Sequence, residues 1–324
     1  FERAASLYGL ARRLAEVAEP AAAVELARRQ GEALANSGRA TEAAEVFEEA
    51  AAIAPPQTAV VLRAAAGSEF LRTGRFDRGL EVLGPVMTAL GLNVARSPRR
   101  AMLMAMYRRA RVRLHGMRFE VRTPEEVSPE VLARIDALWK VASALGMVDT
   151  IRGADAHAQY VLFALRNGDL ARVGRAIAVE TAFACLPGMS ARRRVHQLLG
   201  TIGRIAERLS DPLLAGLGLS LAALSAYQCG EVQDCRDRAR EGEVIFREQC
   251  IGATWELTAA QLYWTWALYW TGEYDQLRRR AEQFVRDARE RGDLYAVVSL
   301  TTGLPGFHWI ARDRIADARR LAEA

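Results

Sequence analysis

Lysine is almost missing from this chain of 324 residues: of its 44 basic side chains only Lys140 is a lysine, and the rest are arginine. Lys140 stands in Trp139-Lys140-Val141, inside a helical apolar pattern. A phosphate loop needs a lysine between glycine and a hydroxyl residue, and a kinase needs one on a strand; neither context exists here. The chain is therefore expected neither to hydrolyse ATP nor to transfer phosphate. Cysteine is nearly as sparse, and Cys185, Cys229, Cys235 and Cys250 follow neither a paired zinc spacing nor a small secreted disulfide framework. Packed, reduced thiols in a cytoplasmic protein are the expectation. No uninterrupted apolar run reaches the roughly 20 residues of a spanning helix, and no signal peptide opens the chain, so no membrane partner is expected.

Catalytic and metal-binding patterns are sparse too. The four histidines, His115, His157, His196 and His308, are scattered, with no HExxH or histidine-carboxylate spacing, and a metal would need three or four converging ligands. Ser190, Ser210 and Ser225 lack a nucleophile elbow. Asp149, Asp155 and Asp169 could pair as carboxylates, although nothing in the sequence brings them together; Asp149 fits better as a helix cap. No catalytic residue, metal or cofactor is expected.

What is there is helix. Hydrophobic residues make up 51% and charged residues 26%, the balance of a globular chain, and apolar positions follow helical periodicity nearly end to end. The interruptions share one grammar, a small turn carrying glycine. It stands at Asn36-Ser37-Gly38, Arg72-Thr73-Gly74, Arg166-Asn167-Gly168, Gln228-Cys229-Gly230 and Trp270-Thr271-Gly272, weakly at Leu114-His115-Gly116, and without glycine at Ala311-Arg312-Asp313. Glycine past the last helical turn adopts a left-handed backbone without a side-chain clash, so the next helix can pack back antiparallel. Ser128-Pro129 predicts a capped helix start that Gly146 would close, 122–129 a surface loop, and Leu186-Pro187-Gly188 a break.

Two units carry a repeat pattern at residue level. Gly31, Gly38, Ala43, Phe47, Ala50 and Pro55 in residues 24–56, then Gly67, Phe70, Gly74, Phe76 and Gly79 in residues 60–91, fall where a tetratricopeptide repeat places its small and aromatic residues. Gly91 replaces the final proline of the second unit. The fold expected is an all-α solenoid, a right-handed superhelix of antiparallel helix pairs, forming one domain over 1–324 with degenerate repeats across 98–324. A generic helical bundle is the alternative.

The stretch from Leu90 to Ala184, with Leu90-Gly91-Leu92, Pro98-Arg99-Arg100, Arg108-Arg109-Ala110-Arg111, Ile135-Asp136-Ala137-Leu138-Trp139 and 148–155, resembles the C-terminal tetratricopeptide-like helical region of large bacterial serine/threonine kinases that also carry a STAND-type predicted ATPase. The resemblance implies a sensing, scaffolding or autoinhibitory arm whose catalytic modules would precede Phe1.

Two constellations bear on partners. Residues 96–122 hold nine arginines against the single acid Glu120. On a helix from about Pro98, Leu103, Met106, Tyr107, Ala110 and Leu114 form an apolar stripe, with Arg100, Arg108, Arg109, Arg111 and Arg113 over the other side. Such a face can be solvated or paired within the fold, or can bind an acidic protein segment through guanidinium forks. Nucleic acid is the weakest reading, because a net charge of +5 is far from a dedicated basic footprint. Further on, Tyr263, Trp264, Trp266, Tyr269 and Trp270 crowd one helix, either as core between long helices or as a groove for a peptide or flat ligand. Arg100, Arg108, Arg111, Tyr263, Trp266 and Trp270 are the partner-binding candidates. Three readings of function follow: a non-catalytic interaction or regulatory scaffold arm binding a protein segment in cis or trans along the concave surface of the solenoid, a domain sensing a small effector for an attached ATPase or kinase, or, least favoured, a helical-toroid enzyme.

Overall fold

The computed structural model describes residues 1–15, 19–92, 95 and 97–323; Arg96, counted in the basic stretch above, lies outside them. The described residues form seventeen α-helices and no strand, and none of these helices is long and apolar enough to cross a membrane. The chain divides into two compact units, Phe1–Ala176 and Ile177–Ala324.

The first unit holds α1 (Glu2–Ala15), α2 (Pro20–Asn36), α3 (Ala40–Ile53), α4 (Pro56–Arg72), α5 (Phe76–Ala89), α6 (Pro98–His115), α7 (Pro129–Val148) and α8 (Thr150–Asn167). The boundary falls within α9 (Leu170–Cys185). Each of α1 to α4 packs on the next, α4 also meets α7, and α8 carries both α6 and α7. The core here is small and tight. Ala43, Ala44, Ala50 and Ala66 are fully buried around Phe47 and Phe70. A Cβ on Gly31 would come within 2.4 Å of the Phe47 ring, and one on Gly67 within 2.5 Å of Leu83. Each glycine thus admits a large side chain from the following helix, at the same spacing of sixteen residues.

The second unit holds α10 (Arg192–Leu209), α11 (Pro212–Gln228), α12 (Val232–Gln249), α13 (Thr254–Trp270), α14 (Tyr274–Glu290), α15 (Leu294–Thr301), α16 (Gly303–Ile310) and α17 (Ile315–Glu323). Consecutive helices again pack together, and α13 also meets α11, α15 and α16. Trp264, Leu268, Leu277 and Phe284 fill the centre of this unit among small residues such as Ala223, Ala239 and Ala267.

The turn grammar is visible in the backbone. Gly38, Gly74, Gly230 and Gly272 have φ of 81°, 77°, 77° and 74°. The residue after each donates to a carbonyl five positions back, as Arg39 does to Leu34 and Arg75 to Phe70, both at 2.9 Å. That is the Schellman closure of a helix end. The glycine-free copy behaves alike: Asp313 has φ 57° and Arg314 donates to Trp309 at 2.9 Å. Three copies escape a sequence reading keyed to the other turns, Gly91 (φ 66°), Gly292 (φ 67°) and Ser210 (φ 50°).

Two glycine expectations need correction. Gly168 is extended, with φ −81° and ψ 158°. A Cβ there would meet the Ala164 carbonyl oxygen at 2.7 Å, so close approach rather than handedness demands glycine. Gly146 does not end its helix, because α7 runs on to Val148. It lies instead at the tightest crossing of α7 with α8, where a Cβ on Gly153 would stand 2.4 Å from the Gly146 Cα. The other local expectations stand: Ser128 caps α7, Asp149 caps α8 through the amides of Ile151 and Arg152, 122–129 holds a loop with one 3-10 turn, and Gly188 breaks the chain after α9.

Candidate functional site

The basic helix α6 is built from Ser97, whose hydroxyl accepts the Arg100 amide, and Pro98 at its first turn. Its seating reverses the usual amphipathic logic. Small residues go inward, with Ala101, Ala105 and Val112 buried, and the neighbour they face is α8. Arg108 accompanies them, its side chain only 14% exposed, and pairs with the buried carboxylate of Asp155 on α8. Burial pushes the Asp155 carboxyl above its ordinary range, and the Arg108 guanidinium pulls it back.

The large apolar stripe therefore faces outward. Leu103 and Met106 are each 63% exposed, Tyr107 56% and Leu114 85%, and Met102 joins them. Arg99, Arg100, Arg111, Arg113 and Arg118 are exposed around this stripe, and none of the five is ion-paired to a described residue. The Arg111 guanidinium stacks over Tyr107, 5.8 Å from the ring centre. The result is a patch of five large apolar side chains flanked on the same helix by four arginines, with Arg118 past its end.

The structure thus separates the three arginine candidates. Arg100 and Arg111 lie on the open face, and Arg108 is held within the fold. The same carboxylates that could have paired for catalysis are each occupied by an arginine: Asp149 by Arg152 at 2.8 Å, Asp169 by Arg172 at 3.0 Å, and Asp155 by Arg108. Among the described residues no three of His, Cys, Asp and Glu converge as metal ligands do.

On α13 the aromatic residues divide by side. Trp264 is buried against Phe284, ring centres 5.7 Å apart, with the Arg280 guanidinium 4.8 Å from its own ring. Trp266 packs between Tyr227 and Tyr263, at 5.3 and 5.4 Å, and burial pushes the Tyr263 phenol up. Trp270 is 59% exposed, yet its indole donates to the Tyr227 hydroxyl at 3.1 Å. Tyr263, Trp266 and Trp270 thus form one ladder with Tyr227, largely engaged in holding α13 to α11. Burial pushes the Cys185 thiol up to about 11 and the Cys235 thiol to about 12, so both are protonated at neutral pH.

Unfilled cavities were not anticipated. One, about 730 Å³, lies among α10, α11 and α12. Gly200, Gly203, Ala215, Gly218 and Ala222 line it without filling it. Of its lining charges, Arg192 pairs with Glu231 and Arg238 with Asp234, both at 2.8 Å. The spacing Gly200-x-x-Gly203 opposite Ala215-x-x-Gly218-x-x-x-Ala222 was the available signal, two small-residue faces on successive helices. Another cavity, about 360 Å³, lies among α14, α15, α16 and α17. In the sequence only its His308 stood out, as one of four scattered histidines.

No model of a known protein family matches this sequence, and no curated protein is similar to it.

Proposed function

We propose that the chain is a non-catalytic interaction arm, a tetratricopeptide-like right-handed solenoid that binds an acidic amphipathic protein segment, in cis or in trans, on the outer face of α6. The observation that carries this reading is the exposed stripe of Met102, Leu103, Met106, Tyr107 and Leu114 flanked by unpaired arginines. Contiguous exposed apolar side chains with a polar rim mark interaction surfaces. Arginine adds bidentate capture of carboxylates, which selects acidic partners. The solenoid part of the reading is supported by the recurrent left-handed turns and by the matched Gly31–Phe47 and Gly67–Leu83 approaches. The resemblance of residues 90–184 to kinase-type tails supports a bound segment that belongs to a neighbouring module of the same polypeptide.

The test is a titration of the full chain against a fluorescein-labelled helical peptide with leucine and glutamate at helical spacing. Binding should weaken as salt rises and disappear in Arg100→Glu/Arg111→Glu, two exposed changes that leave the helical melt intact. Equal binding by that double variant contradicts the proposal. So does preference for anionic vesicles or duplex DNA over the peptide.

A further inference from the structure

The cavity among α14, α15, α16 and α17 has features that no protein-segment surface requires. Its floor is apolar, made by Ala281, Val285 and Leu300, and the half-buried Trp309 closes one side. At about 360 Å³ it falls in the range, roughly 300–1,000 Å³, of sites that enclose small ligands.

Charge at the mouth is uneven. Asp317 is bound by Arg314 and Arg320, and Glu282 pairs with Arg278 at 3.0 Å, so both acids are spent. Arg286 and Arg289, one helical turn apart on α14, line the same cavity and pair with no described residue. Two guanidinium groups on one helix face are thus free for an anion.

His308 supplies the second polar feature. It is 3% exposed and lines the cavity, with its Nδ1 2.8 Å from the Pro305 carbonyl oxygen. A carbonyl oxygen only accepts, so Nδ1 carries the proton and Nε2 of the neutral ring presents a lone pair. Burial lowers the pKa of this histidine, which keeps that form at neutral pH. Nε2 is buried and has no hydrogen-bond partner among the described residues, and a buried acceptor left unpaired is destabilising. A ligand donor would relieve that cost.

We propose that this cavity binds a small organic carboxylate with a ring-sized apolar body and a hydroxyl or N–H donor, Arg286 and Arg289 taking the carboxylate and His308 Nε2 accepting from the donor. The apolar body lies against Val285, Leu300 and Trp309. The site is independent of the α6 reading and involves none of its residues.

The test is ligand-observed NMR and thermal shift on the full chain with a panel of hydroxylated aromatic and aliphatic carboxylates. The panel includes 4-hydroxybenzoate, with 4-methylbenzoate and 4-hydroxybenzamide as the partners lacking donor and charge. Saturable binding by at least one hydroxylated carboxylate is expected. Removal of either the donor or the charge should weaken it roughly tenfold or more, the usual consequence of losing a hydrogen bond to a charged or buried group. Arg286→Gln/Arg289→Gln, at exposed positions, should weaken it similarly without altering the melt, and Arg100→Glu/Arg111→Glu should leave it unchanged. Absence of saturable binding across the panel at millimolar concentration overturns the proposal. So does undiminished binding by Arg286→Gln/Arg289→Gln, or displacement by inorganic phosphate as effective as by the organic ligand.

Discussion

α6 and α13 are both long helices loaded with large apolar side chains, and the fold uses them in opposite ways. α13 puts Trp264 and Leu268 into the core and fastens its flank through Tyr227. α6 puts alanine, valine and one paired arginine inward and leaves methionine, leucine and tyrosine outside. The difference lies in the surface each helix meets. α13 is surrounded by α11, α12, α14, α15 and α16, so large side chains are needed to fill the space. α6 docks on α8, where Arg108 must reach the buried Asp155, and small neighbours bring the backbone close enough for that pair to form.

The contrast breaks most visibly under truncation. Trp264→Ala should cost about 3–5 kcal/mol, as for a buried aromatic residue that leaves a cavity, measured by urea unfolding. Asp155→Ala should cost about 3–5 kcal/mol as well, because it strips the carboxylate from a largely buried guanidinium. Hydrogen exchange should locate that loss at the α6–α8 contact and leave α13 protected.

Acid should loosen the packing of α8 on α7, where His157 lies against Trp139 and Gly146. Burial on α8 holds His157 down at about 4 rather than the ordinary 6.5, with Arg109 of α6 adding to the effect. The unfolded chain takes up a proton below pH 6.5 that the folded one refuses. The stabilisation is thus complete above pH 6.5 and is lost as pH falls towards 4, about 3 kcal/mol in all. His157→Phe should flatten the stability profile across that window, as followed by chemical denaturation at stepped pH. At the small end, Leu114→Ser should change stability by no more than about 0.5 kcal/mol, as exposed substitutions do. A larger loss would mean that the stripe is covered.

Much of the architecture was legible because it depends on backbone chemistry. Glycine at 38, 74, 230 and 272 marks helix ends since few other residues take that backbone cheaply, and Asp313 could be placed by analogy with them. Gly146 and Gly168 were misread for a related reason: glycine also serves close approach, and the sequence does not say which use applies. The α6 stripe was read correctly as a stripe, but periodicity assigns residues to faces without saying which face is inside. That depended on Asp155, forty-seven positions away. The cavities were nearly invisible, since an unfilled space is defined by the helices around it and not by any one motif. His308 gained its meaning only from Pro305 and from the arginines of α14.

Site-specific photo-crosslinking measures the central idea most directly, with a photoreactive residue replacing Met106 on the outer face of α6 and, as control, replacing Trp255 at the start of α13. With the acidic helical peptide present, the adduct should form from position 106, disappear when Arg100→Glu/Arg111→Glu is added, and be absent from position 255. Equal labelling from both positions, or labelling at 106 that ignores the arginines, would contradict the account.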